Sequence, residues 1–390
     1  MPKYLPDVYE IDEGNEETEE ILFEITAELE SVYGQAYNEM LRKALEFLAV
    51  FRAADAVKRR LFESGKIDKE EYRRWRLTQM LTGRNAYAMA DTLATDLTNV
   101  NAIAASVIND YMPQVYAVNT NWAEYTIEKT LRIDTSFTLF DEQTVERLVK
   151  DNPDLLPRAQ VNIPKDQRWN KEHINAAITQ GILQGETIDE VAIRLAEVTD
   201  MSKNAAVRNA ATMTTSAQNG GRIDSYKRAQ DMGIAIKKRW IATLDGHTRP
   251  SHRLCDGEVR ELGKPFPNGL IFPGDPNGTP AEVYNCRCRV TGVVEKQLYS
   301  LSDRDTRELE RWDISYDEWK ETKGQNKQPI TRSARNVNRD LKMHEEYRDL
   351  LGKRVPSRFK DFQEMKYKQP ETWRKMVSDA RKARNKRRAA

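Results

Sequence analysis

Apolar residues recur at intervals of three and four over much of the first half of the chain, the repeat of one buried helical face. Ile21, Leu22, Ile25, Leu29, Val32 and Ala36 begin the pattern, and Leu41, Leu45 and Leu48 continue it. They predict a long helix that breaks near Ser64-Gly65. A second helical stretch is expected from Glu70 to Leu81, with Gly83 as its stop. A third is expected from Ala86 to Met112, an Ala-rich run free of Gly and Pro that should end at Pro113. Residues 1–15 read as an irregular acidic lead. Pro153, Pro157 and Pro164 punctuate a looser stretch from Leu139 to Pro164.

A further helical block runs from Trp169 to about Met232. Ile174, Ala177, Ile178 and Ile182 share one face, Gly185 interrupts, and Thr187 to Glu190 has the spacing of a capping box. The pair of helices around Gly185 reads as an αα-hairpin or, less simply, as a helix-turn-helix. At Gly233 the period changes. Ile234, Ile236, Trp240 and Ala242 alternate with polar residues as in a half-buried strand. Residues 245–285 are crowded with Gly, Pro, Asn and Asp and read as long loops with short strands such as Leu270 to Phe272; Arg289 to Val294 closes them as another strand. From Leu301 onward the chain reads as helical and polar.

These shifts divide the chain into a helical N-terminal region (1–164), a hairpin and long helix (165–232), a small α+β domain (233–298) and a polar helical extension with a basic tail (299–390). The expected fold class is mainly α with a small α+β domain. The N-terminal helical region would be elongated and the C-terminal domain loop-rich, with short strands and a possible zinc clip.

Composition narrows the class. Charged residues make up 32% of the 390 and mean hydropathy is −0.75, which suits polar helices that lean on partners. No apolar run is long enough to cross a bilayer, and the first residues lack the apolar core of a signal peptide, so no membrane role is expected. Charge is uneven. Residues 1–30 hold eleven Asp and Glu against one Lys, whereas residues 331–390 hold nineteen Lys and Arg against eight acids. Arg381, Lys382, Arg384, Lys386, Arg387 and Arg388 crowd the last ten positions and are candidates for binding double-stranded DNA through its phosphates.

The chemistry-bearing residues cluster. All three cysteines lie between positions 255 and 288, too few for a disulfide framework and suited to a reducing compartment. His252 and Cys255, then Cys286 and Cys288, form the Cys₃His donor set of a structural zinc site. A metal clip would offset the closure entropy of a loop of some forty residues. In the alternative, His252 hydrogen-bonds within a polar loop while the cysteines pack as small buried residues. Asp245 and His247 are spare ligands. Gly257 to Pro265 lacks P-loop spacing and its Ser/Thr, and no Ser/His/Asp triad is visible.

Trp240-Ile241-Ala242, Asp245, Thr248 to His252, Asp256-Gly257, Phe272 to Asp275 and Asn285-Cys286-Arg287-Cys288 together resemble the phage head-morphogenesis family, the Mu F-like minor head proteins. The stretch Gly181 to Ala192 resembles the hairpin of that family, and Ser315 to Trp319 and Phe359 to Tyr367 resemble its extensions. The specific motifs cover roughly residues 170–295. Many members carry a Cys-x-x-Cys pair after the Asp; here Arg249 and His252 stand at those places, and Cys255 lies three residues beyond.

The resemblance implies a structural role in the virion, in few copies near the portal, with portal and capsid proteins as partners. It implies no enzymatic reaction, no small-molecule substrate and synthesis in the bacterial cytoplasm. Two other functions fit the residues: a zinc-containing nucleic-acid-binding module, and a metal-dependent nuclease using Asp245, His247 and His252.

Overall fold

The computed structural model describes residues 12–82, 84–131, 137–294 and 314–325, with 343–344, 346–356, 361–362, 365–366 and 369–389. Most of the acidic lead, Gly83 and most of the segment after Val294 therefore lie outside the described residues.

Helix α1 spans Glu13–Glu63 and is capped by the Asp12 carboxylate, which accepts from the Asn15 amide. Its buried stripe is Ile21, Ile25, Leu29, Tyr33, Met40, Ala44 and Leu48, so the face read from the periodicity is the face that packs. Gly65 takes a left-handed turn (φ 70), and α2, Lys69–Leu77, leads into a π-helical turn at Thr78–Thr82. The tip of this hairpin is pinned by Asp55, which is buried, pairs with Arg76 at 3.1 Å and accepts from the Tyr72 hydroxyl at 2.9 Å.

Helix α3, Arg84–Leu131, does not end at Pro113 but runs through it. Proline forfeits one amide bond and crowds the turn before it. Met112, Val115 and Tyr116 are buried around it, and their packing outweighs the local penalty. The stretch after α3 is also more ordered than its prolines suggest. Asp141 caps a short helix α4, Glu142–Asp151. Pro164 sits in the first turn of α5, Ile163–Gln184, where the missing amide costs nothing.

Helix α5 ends on left-handed Gly185, and Thr187 and Glu190 form the reciprocal capping box of α6, Ile188–Ala196. This pair is an αα-hairpin folded into the bundle. Ile188, Val191 and Leu195 are buried, and Asp189 pairs with Arg52 of α1. Helix α7, Val198–Asp231, completes the bundle. One apolar core reaches from Ile21 of α1 through α3, α5 and α6 to Ala217 of α7.

Helices α3 and α7 cross closely at Gly221, where an added Cβ would lie 2.7 Å from the Tyr116 carbonyl oxygen. Neighbouring Gly220 faces open space. Gly221→Ala is therefore expected to cost about 1–3 kcal/mol through backbone displacement. Gly220→Ala should be neutral or stabilise by up to about 1 kcal/mol, as at a helical glycine with room for a methyl group. Paired urea melts check the contrast.

After α7 the chain enters a three-stranded antiparallel sheet of order β2–β1–β3, formed by β1 (Ile236–Ile241), β2 (Val259–Arg260) and β3 (Arg289–Val294). Trp240 faces Val290 and Ile236 faces Val294 across β1 and β3. Ile236 and Val290 pack on Ile223, Tyr226 and Ala229 of α7 and on Ala123 and Ile127 of α3. Leu270 to Phe272 is irregular, not the expected strand: the Ile271 carbonyl accepts from Lys238 and the Ile271 amide donates to Asp275. The chain is thus mainly α with a small antiparallel sheet, as the change of period at Gly233 predicts.

Helix α8, Pro250–Cys255, and α9, Pro280–Val283, lie in the loops. Helix α10, Tyr316–Gln325, docks Tyr316 and Trp319 against Trp122 and Tyr125 of α3. It is latched there by Trp319 Nε1 and Lys323, which donate to the buried Glu128 at 2.7 and 2.9 Å. Helix α11, Pro370–Ala389, lays Trp373, Met376, Ala380 and Ala383 on a small core with Tyr347, Leu351 and Phe362. Of Phe359 to Tyr367, residues 361–362 and 365–366 are described.

Candidate metal centre

The six-residue helix α8 places His252 and Cys255 three positions apart, on one face, and both are buried. Thirty residues on, Asn285 adopts φ 55, a left-handed turn that Asn tolerates, and the chain then extends through Cys286, Arg287 and Cys288. Cys286 and Cys288 alternate with exposed Arg287 and point inward.

Helix α7 sets this register. Thr212, Thr215, Asn219 and Arg222 lie three and four apart, on one side of the helix. The Asn285 amide donates to the Thr212 hydroxyl at 3.0 Å, and Thr215 donates to the Cys286 carbonyl at 2.6 Å. Asn219 donates to the Cys288 carbonyl at 3.2 Å and accepts from the Val290 amide at 2.7 Å; Arg222 reaches the Val290 carbonyl at 3.2 Å. A polar stripe on one helix thus holds the backbone on which the cysteines ride. Gly274 lets the opposite loop approach the same helix, since a Cβ there would meet the Ser216 backbone at 2.9 Å.

Among the described residues, the ligand atoms of His252, Cys286 and Cys288 form one group, all within 4.8 Å of one another. His252 Nδ1 lies 3.6 Å from Cys286 Sγ and 3.5 Å from Cys288 Sγ. A tetrahedral ion bonded at about 2.3 Å to sulfur and about 2.05 Å to nitrogen holds such atoms about 3.6 Å apart. The two spacings are therefore edges of a metal-sized tetrahedron. The other imidazole nitrogen, Nε2, lies 3.0 Å from Glu282 Oε2 but makes no hydrogen bond to it; that carboxylate accepts from the Ser251 hydroxyl instead. Cys255 lies outside this close group but in the same buried cluster, with Trp240, Phe266 and Leu270. Trp240 stands edge-on to both His252 and Phe266. His252, Cys286 and Cys288 are 1, 1 and 3% exposed.

The thiols are unequal. A hydrogen bond to Cys288, then burial, raises the Cys286 pKa. The same bond lowers that of Cys288, against the opposing effect of burial, with help from His252. Burial raises the Cys255 thiol. Two cysteine sulfurs beside one imidazole form a soft donor set suited to zinc.

Asp245 and His247 do not join the group. Asp245 accepts from the His247 amide and pairs with Arg287 at 2.5 Å, while His247 is exposed. Two features escape the pattern of residue types. Lys238 falls in phase with Ile236 and Trp240 on the buried side of β1, where its ammonium donates to the carbonyls of Leu262 and Ile271, both at 2.6 Å. Its phase in the strand is the signal. Asp12 is buried against Arg222 at 2.7 Å and Arg289 at 3.0 Å, tying the start of α1 to α7 and β3.

The six basic residues of the tail lie on α11. Arg384 pairs with Glu346 at 2.5 Å and Arg387 with Asp349 at 2.6 Å, so both are engaged within the protein. Arg381 and Lys382 are exposed beside Arg374 and Lys375. The side chains of Lys386 and Arg388 lie outside the described residues.

Residues 172–291 match the family described as Phage Mu protein F like protein. NAD(+)--arginine ADP-ribosyltransferase EFV of Enterococcus faecalis is 30% identical over 198 residues, covering 50% of this chain and 40% of that protein. Minor head protein GP7 of Bacillus phage SPP1 is 28% identical over 232 residues, covering 56% of this chain and 72% of that protein. Protein YqbB of Bacillus subtilis, itself uncharacterised, is 25% identical over 198 residues, covering 44% of this chain and 64% of that protein. The chain thus spans less than half of the Enterococcus relative. No solved structure matches the chain. Strand β1, the His252 helix and the Asn285–Cys288 turn all fall inside the matched segment, so the likeness to Mu F-like proteins rests on the residues that build this centre.

Proposed function

We propose that this chain is a minor head protein of a tailed phage or prophage, a structural component of head morphogenesis that works inside the virion near the portal. The observation that carries this reading is the likeness to a minor head protein over 72% of that protein's length. The closed surroundings of His252, Cys286 and Cys288 support a structural role for the centre. Portal and capsid proteins are its partners in this reading, and no small-molecule substrate is required. The transferase activity in the name of the Enterococcus relative belongs to that protein, most of which lies outside the shared 40%. Immunoblotting should find this chain in purified virions and in DNA-free heads, and incubation with labelled NAD⁺ should transfer no label to arginine. Absence from both kinds of particle overturns the assignment.

Zinc is the ion we assign to the centre, held by His252, Cys286 and Cys288, with Cys255 as the remaining thiol of the cluster. Bound there, it supplies a cross-link between α8 and the turn before β3.

Contact with packaged DNA falls to α11. Arg374, Lys375, Arg381 and Lys382 form its outward cations, whereas Arg384 and Arg387 serve its packing. Each neutralised phosphate releases condensed counterion, so changing these four residues to Gln should lower affinity for duplex DNA. It should also make the logarithmic salt dependence shallower by about 3.6 if each of the four contacts one phosphate. An unchanged slope removes DNA binding from this helix.

A further inference from the structure

Glu124 and Glu128 stand one turn apart on the same face of α3, and each is 1% exposed. Their carboxyl groups are served unequally. Glu128 accepts from Trp319 Nε1 and Lys323, the bonds that latch α10. Glu124 has Oε1 3.7 Å from Arg228 Nη2, beyond hydrogen-bond reach, and its Oε2 has no hydrogen-bond partner among the described residues. Arg228 is committed elsewhere. It donates to the Ser225 hydroxyl at 2.7 Å and lies over the Phe140 ring at 5.0 Å. The charged groups facing Glu124 are Glu128 on its own helix, Arg228 on α7 and Lys323 on α10. Phe140, bonded through its amide and carbonyl to Asn121 of α3, both at 2.9 Å, adds no charge.

A buried carboxyl without hydrogen bonds is costly as an anion and far less so as an acid. Burial pushes Glu124 up to about 7; Arg228 and Lys323 oppose the rise and Glu128 adds to it. Ionisation sets a second buried negative charge beside Glu128. Lys323, which faces both, must then serve two carboxylates, and its bond to Glu128 is one of the two that hold α10.

We propose that Glu124 is a proton switch for the docking of α10, which closes on α3 while the acid is protonated and loosens when it ionises. Loosening separates Tyr316 and Trp319 from Trp122 and Tyr125, so the aromatic cluster opens as pH rises. The docked form holds the proton more tightly than an open form whose carboxyl has the ordinary value of 4.5. Opening therefore becomes easier as pH climbs above 4.5, and the gain levels off above about 7. From pH 6 to pH 8 the linkage amounts to about tenfold.

Amide hydrogen exchange of the full chain at pH 6 and pH 8, corrected for the intrinsic rate, tests this. Residues 316–325 should open about tenfold more readily at pH 8, while α6 stays unchanged. Glu124→Gln, neutral and of the same size, should leave α10 equally protected at both pH values. Equal protection of α10 in the wild-type protein at pH 6 and pH 8 overturns the proposal. So does a pH difference that survives in Glu124→Gln, which assigns the effect to another group. A loss of protection shared by α6 also overturns it, because the change then belongs to the whole fold.

Discussion

Replacing Cys288 with Ser should release the metal lobe while leaving the helical bundle standing. Protein isolated without chelator is expected to carry about one zinc per chain, and Cys288→Ser or His252→Ala to carry none. A structural zinc site contributes an apparent binding free energy of about 10–16 kcal/mol at neutral pH. Residues 243–288 have little apolar content to replace it, so their amides should lose protection by orders of magnitude. The bundle has its own core, so far-UV circular dichroism should fall little. The competing account, in which the cysteines merely pack as small hydrophobes, gives a zinc-free protein in which Cys288→Ser costs only about 1–2 kcal/mol. A metal-free native protein with unchanged exchange in 243–288 decides for that account.

A comparably large loss is expected at a distance from the lobe. Arg222 is fully buried and its guanidinium is divided among the Asp12 carboxylate, Asn119 at 2.8 Å and the Val290 carbonyl. Arg222→Ala leaves Asp12 buried beside Arg289 alone, and removing one partner of a buried pair costs about 3–5 kcal/mol. Asp12→Ala strands Arg222 in the same way. Acid should reproduce part of the effect. Burial pushes the Asp12 carboxyl up, but the charge and hydrogen bonds of Arg222, with Arg289, more than offset it and hold it below 3.8. Its folded value is depressed, so its stabilisation is complete above about pH 4 and is lost as pH falls through the lower folded value. Acid-unfolding curves of the wild-type protein and Asp12→Asn should differ most above that window and converge below it. Parallel curves throughout would mean that the pair is neutral.

The two predictions differ in how far they could be foreseen from residue order. The stripe of α1, the capping box at Thr187 and the alternation of β1 are local repeats, and the folded chain uses them as written. The donor set is also local within its two short motifs, and His252, Cys286 and Cys288 meet. The Asp12–Arg222 pair joins residues 210 apart, and nothing near either position marks it. Pro113 misleads because a local penalty is small beside the burial of Met112, Val115 and Tyr116. The α7 stripe of Thr212, Thr215, Asn219 and Arg222 reads as a run of indifferent helix formers until its spacing is set against the unpaired backbone of Asn285 to Val290. Residue types that look like poor choices for a helix are here chosen for what they hold.

Helix α1 is nailed at both extremities by buried charge, at Asp12 beside the sheet and at Asp55 beside α2. The two nails are about 65 Å apart along a continuous hydrogen-bond ladder. One unbroken helix thus fixes the spacing between the Arg76 end of the hairpin and the Arg222 end beside β3, and a break at either pair would free one end of it.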